Sequence, residues 1–93
     1  MPLFAVLGYT ALDKLEAAIK LRYPNDHFSF TADQWFVRGE GTAKDVSDAI
    51  GIGKRPDGTE IPGVVIFVGG YFGLAPTNLW EWFLAKPMVK TDA

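Results

Sequence analysis

The side chains of this protein that could do chemistry are few and scattered. His27 is the only histidine among 93 residues, and there is no cysteine. A histidine works as an acid–base group or metal ligand when suitable partners stand beside it. No second His or Cys completes a His-rich metal site or an obvious hydrolase triad, and disulfides, thiolate zinc sites and cysteine nucleophiles are excluded outright. His27 falls on the polar side of a short predicted strand and reads as structural or solvated. Carboxylates stand three apart at Asp13/Glu16 and Asp45/Asp48, neighbouring positions on a helix face. Such pairs offer oxygen ligands for Mg²⁺. Neither has a third ligand, however, and acids in a first turn also serve the positive end of the helix dipole. They read as solvated faces, so no metal and no cofactor are expected.

Two glycine-containing segments invite a phosphate reading. Gly51-Ile52-Gly53-Lys54-Arg55 lacks the Lys-Ser/Thr ending of a phosphate loop, and Pro56 stands where a dinucleotide fingerprint needs a third glycine. Gly69, Gly70 and Gly73 lie between a predicted strand and a predicted helix. Glycines there allow close approach, and N–H groups at a helix start bind anions. No cation lies within the segment, and a bend that lets the chain leave a sheet explains the glycines as well. Anion binding and a bend both fit.

The elements that must position these residues follow from periodicity. Leu3 to Tyr9 is apolar at almost every position and predicts a buried first strand. Leu12, Leu15, Ala18 and Ile19 recur at helical spacing over Ala11 to Arg22, and Pro24-Asn25 ends that helix. His27 to Thr31 and Gln34 to Gly39 alternate as two half-buried strands. Between them Ala32-Asp33 leaves room only for a tight reversal, although Ala-Asp is not a favoured two-residue turn. Thr42 with Asp45 resembles a capping box ahead of the stripe Val46, Ala49 and Ile50. Arg55-Pro56-Asp57-Gly58 matches a type I turn. Val64 to about Gly69 is a fourth strand, apolar on both faces. A last helix spans about residues 77–86, stopped by Pro87, with a tail over 87–93.

The order β-α-β-β-α-β plus a terminal helix predicts an α+β, ferredoxin-like antiparallel sheet in a single domain over 1–93. In that topology the fourth strand lies at the sheet edge, beside the first. An exposed apolar edge is an aggregation hazard unless something covers it. Either the following segment or a second subunit is expected to do so. Leu79, Trp80, Phe83 and Leu84 form one stripe of the last helix, with Trp82 on its flank. The residues expected at an interface are therefore Val65, Phe67, Tyr71, Phe72, Trp80, Trp82 and Phe83.

Composition narrows the partners. The formal charge is −2, and no Lys or Arg occurs between Ile61 and Ala85, so base stacking on the aromatics lacks the usual basic surround and nucleic acid is disfavoured. No apolar run is long enough to span a membrane, and Met1-Pro2-Leu3 carries no basic leader. A cytoplasmic protein is expected, with a homodimer or a protein partner and no membrane.

Taken together, the element order, Trp35-Phe36-Val37, Thr42-Ala43-Lys44 and the apolar fourth strand resemble one family over most of residues 3–70. It is the small CRISPR-associated spacer-acquisition subunit family, with its SinR-like and virulence-associated-protein-D-like relatives. That resemblance implies a ferredoxin-like fold and a homodimer in which segments after the fourth strand cross to the partner. It also implies a metal-dependent nuclease using an aspartate at the end of the first strand. This chain departs there, reading Gly8-Tyr9-Thr10, with Asp13 only inside the following helix. The leading expectation is self-assembly or partner binding without catalysis. The alternatives are a divergent Mg²⁺-dependent endonuclease using Asp13, and a sensor of small anions or nucleotides at Gly69 to Gly73.

Overall fold

The computed structural model describes residues 1–54 and 60–85. The turn expected over Arg55 to Gly58 and the stop at Pro87 lie outside the described residues. In chain order the elements are β1 (Leu3–Leu7), α1 (Leu12–Arg22), β2 (His27–Thr31), β3 (Gln34–Arg38), α2 (Ala43–Ile50), β4 (Gly53–Lys54), β5 (Glu60–Ile61), β6 (Val64–Val68) and α3 (Thr77–Ala85). The fourth long strand is thus β6, preceded by a two-stranded ribbon of β4 and β5 that periodicity did not anticipate. Two residues per strand are too few to carry an alternating pattern.

Four strands form one sheet in the order β2-β3-β1-β6, with every neighbouring pair antiparallel. The central position of β1 explains its unbroken apolar sequence, because both of its faces carry core residues. On one face Phe4 and Val6 join Trp35 and Val37 of β3, Leu15 and Ile19 of α1, and Val46 and Ile50 of α2 in a core that also takes in Ile61. On the other face Leu3 packs with Leu79 and Phe83 of α3, flanked by Phe28, Phe36 and Val68. Each such large side chain contributes about 1.5–3 kcal/mol when fully buried. The architecture is a small α+β sheet with two helices on one face and a third on the other.

Local chemistry fixes the helices. Thr42 accepts the Asp45 backbone N–H while the Asp45 carboxylate accepts that of Thr42, completing the capping box of α2. Gly51 ends α2 in the left-handed region (φ 92°), where glycine carries no steric cost. At the start of α1, a Cβ on Gly8 would stand 2.8 Å from Leu12 Cδ2 and 2.9 Å from Leu15 Cδ2. Glycine there lets the helix close onto the end of β1.

The β2–β3 reversal is the tight Ala32-Asp33 turn, with Thr31 Oγ1 donating to Asp33 Oδ1 at 2.9 Å. Neither turn residue has positive φ, so this is not one of the mirror-image turns that match strand twist. A register shift between Ser29 and Thr31 accompanies it and takes up the mismatch. Among the described residues, no helix is long and apolar enough to cross a membrane.

Candidate functional site

The surface that stands out is built on β6. Val64, Val65, Ile66, Phe67 and Val68 pair with Leu7, Val6, Ala5, Phe4 and Leu3 of β1 in an unshifted register. Antiparallel pairing sends both backbone groups of a residue toward the same neighbour and alternates that direction along the strand. Gly8 N–H donates to the Asp33 carbonyl and Gly39 N–H to the Pro2 carbonyl, continuing the β1–β3 register at both ends. Even-numbered residues of β1 therefore bond to β3 and odd-numbered ones to β6. It follows that Val64, Ile66 and Val68 bond to β1, whereas Val65 and Phe67 direct their N–H and C=O groups to the outer edge. No other described strand pairs with that edge.

Side chains around this edge are exposed as well. Val64, Ile66 and Phe67 keep 51%, 45% and 58% of their surface accessible, and Phe72 and Leu74 farther along are fully exposed. Phe67 meets the Phe4 ring in a T-shaped contact, 5.8 Å between centroids. Between Ile61 and Ala85 the only charged side chain is Glu81. The result is an apolar, charge-free strand edge continuing into an apolar loop.

The terminal helix does not cover it. α3 lies over the opposite half of the sheet, where Trp82 meets Phe28 at 5.6 Å and Phe83 meets Phe36 at 5.0 Å. The contact centres between Leu79 and Phe83, one turn apart, with Trp80 and Trp82 half-buried to either side. Leu84, expected on the apolar stripe, instead points to solvent. It stands about 120° around the helix from that centre, beyond reach of the sheet. Tyr71 returns from the loop to stack on α3, 4.3 Å from the Phe83 ring centroid.

Of the residues expected at an interface, Phe67, Tyr71 and Phe72 are exposed, and Val65 packs partly against the first core. Phe83 is buried in the second core, and Trp80 and Trp82 pack against the chain's own sheet face. Trp82 also meets Arg38, a pairing that periodicity could not reveal. The Arg38 side chain is 2% exposed; its guanidinium lies 3.7 Å from the indole centroid and donates to the Trp82 carbonyl. Burial pulls the guanidinium below its ordinary pKa, opposed by the nearby Asp26 carboxylate.

His27 and three of the four paired carboxylates meet partners within the chain. His27 Nδ1 donates to the Tyr23 carbonyl at 2.6 Å. Glu16 pairs with Lys20 at 3.4 Å and Asp48 with Lys44 at 2.8 Å, both one helical turn apart, while Asp45 caps α2. Among the described residues, no three His, Asp or Glu side chains gather as a metal site would require. A groove of about 530 Å³ between α1 and α2, lined by Leu21, Arg22, Asp48 and Ile52, brings together one ion of each sign and no nucleophile. Open space surrounds the Cβ positions of Gly70 and Gly73, so these glycines form no cradle, and a Cβ on Gly69 meets only the Phe67 ring at 3.5 Å. The end of β1, where the resembled family carries its aspartate, is closed at Gly8 by Leu12, Leu15 and Trp35. No protein-family model matches the chain, nor does any curated protein or solved structure.

Proposed function

We propose that this chain is a small, cytoplasmic ferredoxin-like protein that acts by association, as a homodimer, and not by catalysis. The observation that carries this reading is the β6 edge, which no other described strand pairs and where Val64, Ile66 and Phe67 present apolar side chains to solvent. Monomeric proteins blunt such edges with charge, proline or a covering element, and α3 has gone elsewhere. The ferredoxin-like assignment is supported by the order β2-β3-β1-β6 with α1 and α2 on a common face. Association is favoured over a nuclease because Asp13 joins no metal-competent cluster among the described residues. It is favoured over an anion sensor because the glycine segment is open and lacks a cation.

Light scattering over a concentration series tests the proposal. A dimer mass is expected at about 50 µM, a concentration at which an interface of standard size is occupied. A monomer mass throughout would overturn it.

A further inference from the structure

We infer that β6 pairs edge to edge with β6 of a second copy of this chain, antiparallel and centred on Ile66, joining two four-stranded sheets into one of eight strands. This rests on the association reading above and names its partner and register.

Three features select a second copy as the occupant. The first is charge. Around a two-fold axis, residues near the axis face their own copies, so a charged patch would repel itself. Val64 to Val68 carries no charge, and Glu81 is the only one between Ile61 and Ala85. On the strand itself an acidic or basic partner would meet nothing complementary. The second is the strand itself. β6 has no Lys, no proline and no register shift against β1, so among the described residues none of these guards interrupts its outer edge.

The third is parity. Val65 and Phe67 direct their backbone groups outward, so antiparallel pairing exchanges bonds between Val65 of one copy and Phe67 of the other. That register places Ile66 opposite Ile66 and overlaps all five residues of β6. Sliding by two residues leaves ends unpaired. Valine then faces phenylalanine across the junction on the α1/α2 side, a favourable β-branched–aromatic pair. Ile66 occupies a position without hydrogen bonds between the copies, where Cα atoms approach to about 4.5 Å.

The chain has no cysteine, so single-cysteine variants report contacts cleanly. Under mild oxidation Ile66→Cys is expected to form a covalent dimer, since about 4.5 Å lies within the Cα range of disulfides. Leu21→Cys, exposed on α1, is expected to stay monomeric under the same treatment. Phe67→Pro removes the outward N–H without touching a bond to β1, whereas Phe67→Thr keeps that N–H. Phe67→Pro is expected to weaken dimerisation at least about tenfold relative to Phe67→Thr, two bonds per dimer being lost. Circular dichroism checks that both variants fold; if the proline variant does not, the cross-linking decides. A wild-type dimer in which Ile66→Cys links no faster than Leu21→Cys would overturn the edge pairing and leave the association reading intact. A wild-type monomer would overturn both.

Discussion

At Arg38 a nearly inaccessible charge meets the carbonyl end of α3 and the face of an indole. A cation at a helix C-terminus is favoured by the dipole, and stacking on Trp82 adds an attraction that strengthens with desolvation. Arg38→Leu is expected to lower stability by about 2 kcal/mol in chemical denaturation and to reduce near-UV dichroism from Trp82. Arg38→Lys should fall between the two, because an ammonium keeps the charge but not the planar fork. Trp35 presents the opposite case. Its indole N–H is buried in the first core with no acceptor among the described residues. Trp35→Phe therefore loses ring volume but also removes an unsatisfied donor that costs about 1–3 kcal/mol. The net change expected from a melting curve is small, within about 1 kcal/mol, where a core aromatic truncated to Ala would cost about 3–5 kcal/mol. Neither residue's situation was legible in sequence. Arg38 alternates correctly with Val37, yet its partner lies 44 residues away on an element whose rotation only packing decides.

Among the elements, α2 was the most readable, because its start and stripe are written locally in Thr42, Val46 and Ile50. Thr42→Ala removes one half of the capping box and is expected to cost about 1 kcal/mol. The other half is sensitive to pH. Hydrogen bonds from the Thr42 backbone and side chain hold the Asp45 carboxyl below its ordinary value of 3.8. A depressed pKa stabilises the fold above the unfolded value and loses that contribution as pH falls through the folded one. The melting-temperature gap between wild type and Asp45→Asn should stay constant from pH 7 to about pH 5 and close only in the acid range below. A gap that closed instead around neutral pH would implicate another group. α3 shows the limit of the same reasoning. Its existence and start near Thr77 follow from pattern, but helical periodicity gives relative positions around an axis and no absolute rotation. Leu84 was placed inward for that reason.

For the molecule as a whole, the two sheet faces differ in kind. The α1/α2 side is tied together by side chains from six elements, while the α3 side rests on one short helix reached through an apolar loop. Native-state hydrogen exchange is expected to show the amides of α3 opening well before those of β1 and β3. Equal protection for all three would mean that the second core is as cooperative as the first. The four long strands, the first two helices and the edge position of β6 could all be argued from sequence; which half of the sheet α3 would shield could not. The register shift between Ser29 and Thr31 then has a bearing on stoichiometry. A sheet open at both rims can recruit copies without end, as a fibre does. Here the β2 rim is interrupted by that shift beside its turn and is lined on one side by His27 and Ser29, features that oppose pairing there. Under the proposed β6 pairing, growth would therefore stop at a pair of copies.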